Sequence, residues 1–137
     1  MLVKTYGSAV SGIDAKTITI EVDITRGIKF YLVGLPDNAV KESEQRIRAA
    51  LKNNSYRVPG KQIVINMAPA NIRKEGSAYD LPLAIGILAA NNEFEDRKLA
   101  EYVIMGELSL DGSILPIKGE FLLTFQGPQS PIESVTI

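Results

Sequence analysis

Apolar and polar residues alternate with period two through the opening of the chain. Ile18, Ile20, Val22 and Ile24 are separated by Thr19, Glu21 and Asp23, with Ile13 and Thr17 ahead of them. That pattern predicts a strand with one face in a core and the other in water. The Arg26-Gly27 pair interrupts it, and Ile28-Lys29-Phe30-Tyr31-Leu32-Val33 follows at hairpin distance before Gly34-Leu35-Pro36. Residues 2–34 therefore read as a β-meander. From Asp37 or Asn38, either able to cap, the period becomes helical: Val40, Ile47, Ala50 and Leu51 share one side, while Lys41, Glu44, Arg48 and Lys52 share another. Residues 62–67 read as a strand, followed by a polar loop over 68–77 of the kind that often carries function. A second helix is predicted from about Ser77, where Ser77 and Asp80 have the S-x-x-D spacing of a capping box. Residues 81–89 are apolar almost all round, so that helix should be buried. Residues 102–106 read as a strand, and Leu108-Ser109-Leu110, Asp111-Gly112 and Ile114-Leu115-Pro116-Ile117 as a hairpin with a tight Asp-Gly turn. The predicted order is βββαβαββ, an α+β fold with a mixed sheet and two main helices.

Composition narrows the chemistry. At 137 residues, with 45% apolar and 23% charged side chains, the chain has room for one globular core. It contains neither Cys nor His. A disulfide, a thiolate or imidazole metal site, a Ser-His or Cys-His nucleophile and a histidine acid or base are all excluded. No segment approaches the roughly 20 apolar residues of a membrane span, and no secretory leader is evident, so a soluble cytoplasmic protein without membrane partners is expected. The net charge of -1 conceals an uneven distribution. Residues 41–74 hold eight bases against Glu42 and Glu44, whereas residues 75–137 hold ten acids against three bases.

Four blocks carry a resemblance: Gly7-Ser8-Ala9-Val10-Ser11-Gly12-Ile13, the run from Val33 to Ser43 around Gly34-Leu35-Pro36-Asp37, Asn66-Met67-Ala68-Pro69-Ala70-Asn71, and Lys74-Glu75-Gly76-Ser77-Ala78-Tyr79-Asp80-Leu81-Pro82. With Gly106-Glu107-Leu108-Ser109-Leu110-Asp111-Gly112 added, residues 1–119 resemble the N-terminal domain of the magnesium chelatase-like AAA+ family (YifB/ComM). The resemblance implies a Lon-protease-like domain of the ribosomal protein S5 domain 2-like fold. It also implies a hexameric full-length protein, with an AAA+ module using ATP and Mg²⁺, and a branch-migration helicase role in ComM-like members. Residues 120–137 depart from the family pattern and form an atypical tail. The chain has no G-x-x-x-x-G-K-[ST] loop, so no nucleotide cofactor is expected to be held by these residues.

A Lon-type peptidase needs a serine nucleophile and a lysine with a neutral amine to accept its proton. Matched through Lys74-Glu75-Gly76, the serine position falls on Ala78, and matched through Leu115-Pro116-Ile117-Lys118-Gly119, the lysine position falls on Phe121. A non-catalytic accessory domain is therefore expected, with Gly76, Ser77 and Asp80 as a structural motif at the helix start. A degenerate hydrolase using Ser77 is the enzymatic alternative. The acidic groups Glu75 with Asp80, or Glu93 with Glu95 and Asp96, lack the converging oxygens of a hard-cation site, and loop or capping roles are expected instead.

The basic segment supplies binding candidates: Arg46, Arg48 and Lys52 on the helix, and Arg57, Lys61, Arg73 and Lys74 around it. They could grip a phosphate backbone, which makes DNA a candidate partner. They could equally meet the acids of residues 75–137 in a neighbouring subunit or the AAA+ module, as a pure oligomerisation module would, or simply face solvent. Tyr56 is the aromatic residue among them.

Overall fold

The computed structural model describes residues 1–11, 14–57 and 61–115. β1 (Leu2–Ser11) and β2 (Asp14–Arg26) form an antiparallel pair running from Leu2 opposite Asp23 to Ser11 opposite Asp14. β3 (Phe30–Val33) follows, then α1 (Asn38–Lys41), α2 (Ser43–Asn53), β4 (Lys61–Ala68) and α3 (Asp80–Ala90). A 3-10 turn (Leu99–Glu101) leads to the small hairpin of β5 (Glu107–Leu108) and β6 (Ile114–Leu115). The architecture is α+β, with a mixed four-stranded sheet in the order β1-β2-β4-β3.

The predicted meander is corrected by β4. It pairs antiparallel with β2 on one side and parallel with β3 on the other, so β2 and β3 are not neighbours. Parallel strands need a crossover of a dozen or more residues, and the connection carrying α1 and α2 provides it. The preference for β4 in the interior has a visible cause: Ile63, Ile65 and Met67 are all buried, whereas Tyr31 and Val33 of β3 are exposed. Of β3 and β4, the strand with more apolar surface to hide takes the interior position with two ladders.

One face of the sheet, with Val3, Ile18, Ile20, Val22, Ile65 and Met67, forms the core together with Leu83, Ala84 and Ile87 of α3. Gly86 lets α3 approach closely; a Cβ there would sit 2.6 Å from Val22 Cγ2. The helix is buried as its composition predicts, but it starts at Asp80 and not at Ser77. Tyr79 occupies the N-cap position without a side-chain cap bond, so the capping box is not formed. The other expected helix is split at Glu42, while Asp37 caps α1 as expected by accepting from the Val40 N–H at 2.8 Å. Residues 102–106 do not form a strand; Ile104 N–H reaches Tyr6 O at 2.7 Å from an otherwise irregular segment. The Asp-Gly hairpin is present, with Gly112 at φ +92° and Ser113 N–H donating to Asp111 Oδ1 at 2.9 Å. The boundary at residue 119, the tail 120–137, Lys118 and Phe121 lie outside the described residues.

Candidate functional site

The loops after β3 and β4 are tied together at the end of the sheet. Gly34 turns the chain at φ +106°, where a Cβ would lie 2.2 Å from Met67 O. The backbone at Leu35 to Asp37 then pairs with Lys74: Lys74 N–H donates to Leu35 O at 3.0 Å, and Asp37 N–H donates to Lys74 O at 2.9 Å. Asp37 also receives Gly76 N–H at 3.3 Å, and this explains what Asp37 and Gly76 do for the loop. Lys74 itself is fully buried, and its ammonium donates to Gly34 O at 2.6 Å and to Pro69 O. Burial lowers its pKa from the ordinary lysine value, while the two carbonyls satisfy the charged form. Its place among the surface-binding candidates is thus corrected: no charge of Lys74 faces a partner.

A second buried cluster joins α2, α3 and β5. Asp80 accepts from Ser43 Oγ at 2.5 Å, from Arg46 Nε at 2.6 Å and Nη2 at 3.0 Å, and from Leu108 N–H at 3.0 Å. Arg46 also donates to Ala39 O at 3.0 Å. The Asp80 bond holds the arginine pKa above its usual value. Arg46, half-buried and also paired with Glu42 at 3.6 Å, is therefore a brace onto Asp80 more than a free cation of an outward basic stripe, and Asp80 fastens a tertiary contact where capping was expected. Ser77 has no side-chain hydrogen bond among the described residues, and the buried amine of Lys74, three residues earlier in the chain, is held by carbonyls. Ala78 presents a methyl group, with its carbonyl accepting from Gly106 N–H at 2.7 Å.

The remaining candidates separate by location. Arg73 lies on the loop after β4, 3.3 Å from Glu75. Lys61 begins β4, opposite Arg26, on the same side of the strand as Ile63. Arg48, Lys52 and Arg57 line one pocket of about 520 Å³ between α2 and the sheet. Its floor contains Ile47, Leu51, Ile63 and Ile87, and its walls contain Phe30 and Tyr56. The end of α2 builds one wall. Ser55 adopts φ +65°, Ser55 N–H donates to Lys52 O at 3.1 Å, and Tyr56 N–H donates to Leu51 O at 2.9 Å. This is a Schellman motif, which brings the residue after the turn against the last helical turn and so places Tyr56 beside Leu51. Phe30 was not among the sequence candidates. It reaches the pocket because β3 lies parallel beside β4, and the Arg48 guanidinium sits 5.6 Å from its ring centroid. Arg48 also pairs with Glu44 at 2.9 Å, while Lys52 and Arg57 make no ion pair among the described residues.

The pocket and the loop knot belong to a recognisable sequence class. Residues 20–137 match the family model described as subunit ChlI of Mg-chelatase. The chain is 46% identical over 112 residues to YifB of Escherichia coli (strain K12), covering 81% of this chain and 22% of that protein. It is 43% identical over 115 residues to competence protein ComM of Haemophilus influenzae, covering 83% of this chain and 23% of ComM. Mb2921c of Mycobacterium bovis is 40% identical over 117 residues, covering 85% of this chain and 23% of that protein. The chain thus spans less than a quarter of the length of these relatives. It belongs to the Mg chelatase-like family that includes YifB and ComM.

Proposed function

We propose that the chain is a non-catalytic accessory domain, Lon-like with the S5 domain 2-like fold, of a cytoplasmic Mg chelatase-like AAA+ protein. Its work is to make assembly contacts through the basic, apolar-floored pocket on α2. One observation carries this reading: the outward cations Arg48, Lys52 and Arg57 surround an apolar hole, while the charged groups Lys74, Arg46 and Asp80 near the family motifs are engaged inside the fold. An apolar centre with a charged rim is the anatomy of a protein contact. Lys74 offers the Ser77 hydrolase reading no base, because its buried ammonium already donates to two carbonyls. The residues do not fit ATP either: there is no phosphate loop, and Lys74 has no free ammonium to offer phosphates. ATP, Mg²⁺ and hexamer formation belong, in this proposal, to the full-length protein with its AAA+ module.

DNA engagement is the second reading, favoured by three cations on one flank with Lys61 on the neighbouring strand end. Light scattering over a concentration series at low and high salt, alongside titration with single-stranded, duplex and branched DNA, separates the two. The assembly reading predicts reversible, salt-weakened association. A monomeric chain that binds DNA in a salt-sensitive manner supports the second reading, and a chain that does neither overturns both.

A further inference from the structure

Resting on the assembly reading, we infer that the pocket's occupant is a second copy of this chain, which seats the Phe94 ring of its Glu93-Phe94-Glu95-Asp96 loop over the Ile47–Ile63 floor between Phe30 and Tyr56. The loop is built as a knob. A Schellman motif ends α3: Asn92 takes φ +60°, Asn92 N–H donates to Ala89 O at 3.1 Å, and Glu93 N–H donates to Leu88 O at 3.0 Å. That reversal turns the chain out of the core, and Phe94 emerges 40% exposed between acids. Lys98 and Arg97 follow, the latter held by Glu95 at 2.6 Å. Glu93 and Asp96 make no ion pair among the described residues.

Knob and hole are complementary in two independent respects. An aromatic ring leaves water for an apolar floor, and the carboxylates beside it meet Lys52 and Arg57, which likewise make no ion pair among the described residues. The floor offers aliphatic carbon and no polar side chain to read a base edge, and one flank of Phe30 is already occupied by Arg48, which favours a side chain over a nucleotide. The loop does not fill its own pocket, since Phe94 is not among the residues lining it. Yet its root touches the rim, because Asn91 Nδ2 donates to Arg57 O at 3.1 Å. Neighbouring knob and hole on one surface are what a two-fold contact requires, each loop entering the other chain's pocket, so the association closes at a pair.

The test uses the 137-residue chain and two charge-reversed variants: Lys52→Glu with Arg57→Glu, and Glu93→Lys with Asp96→Lys. All four positions are exposed, and unchanged unfolding midpoints verify the fold. The wild-type chain is expected to pair reversibly, with pairing weakened by salt. Each variant alone is expected to lose at least tenfold in pairing affinity, while a mixture of the two forms a one-to-one heterodimer, because both contacts then regain opposite charges. Phe94→Ser should weaken wild-type pairing at least tenfold. Pairing that survives Phe94→Ser, or variants that fail to rescue one another while the wild type pairs, overturns the loop-in-pocket contact but leaves an assembly role standing. A wild-type chain that is monomeric at all concentrations and salts removes the assembly reading itself, and with it this contact.

Discussion

Asp80 receives four hydrogen bonds from three residues on two elements, α2 and β5, and no water-exposed surface remains to it. Asp80→Ala leaves Arg46 Nε and Leu108 N–H without their acceptor, and breaking a buried pair from one side costs about 3–5 kcal/mol. Urea unfolding should show a loss of that size; a loss under about 1 kcal/mol would contradict the brace. Tyr79 predicts a pH effect. Its phenol is buried, donates to Ser8 O at 3.0 Å, and has its pKa raised to about 12, first by burial and then by the charges of Asp37 and Glu75. Between the unfolded tyrosine value of about 10 and this folded value, the unfolded chain has lost the proton while the native one keeps it, so stability falls as pH rises. Lys74, with its lowered folded pKa, has the opposite sign: its cost is relieved as pH approaches the unfolded value of 10.5 from below. The difference between wild type and Tyr79→Phe isolates the tyrosine contribution. It should be flat below about pH 10 and shrink above it; a difference independent of pH through that window would refute the assignment.

At the scale of elements, the close seat of α3 on β2 makes Gly86 the sensitive position. Gly86→Ala gains up to about 1 kcal/mol of helix propensity but drives a methyl group to 2.6 Å from a stiff valine, and overpacking of that kind costs about 1–3 kcal/mol. Net destabilisation by thermal unfolding is expected, whereas a raised midpoint would show that α3 can lift off the sheet freely. Ser55→Gly should act in the other direction, stabilising by up to about 1 kcal/mol by relieving the left-handed turn that ends α2. The alternation in β2, the apolar girth of α3 and the Asp-Gly hairpin were legible because each is a local pattern. Insertion of β4 between β2 and β3 was not, since it is decided by which strand gains most from two neighbours, a comparison across distant segments. The same limit governs the cations. In sequence Lys74, Arg46 and Arg57 look alike, yet two have buried partners supplied by Gly34, Pro69 and Asp80, and only the fold brings Phe30 beside Arg48.

Across the whole molecule, polar groups divide between those that close the fold and those that face outward. The loop knot around Lys74 and the brace around Asp80 sit at positions carrying the family resemblance, and both are internally satisfied. At the rim of the α2 pocket Lys52 and Arg57 make no ion pair among the described residues. In the proposed function the working surface lies on α2, and Ser77 carries no chemistry. Sedimentation equilibrium tests this most directly, comparing wild type, Ser77→Ala and Lys52→Ala with Arg57→Ala at low salt. The predicted result is equal association for wild type and Ser77→Ala, with loss in the double variant; an unaffected double variant beside a Ser77→Ala chain that no longer associates would contradict it.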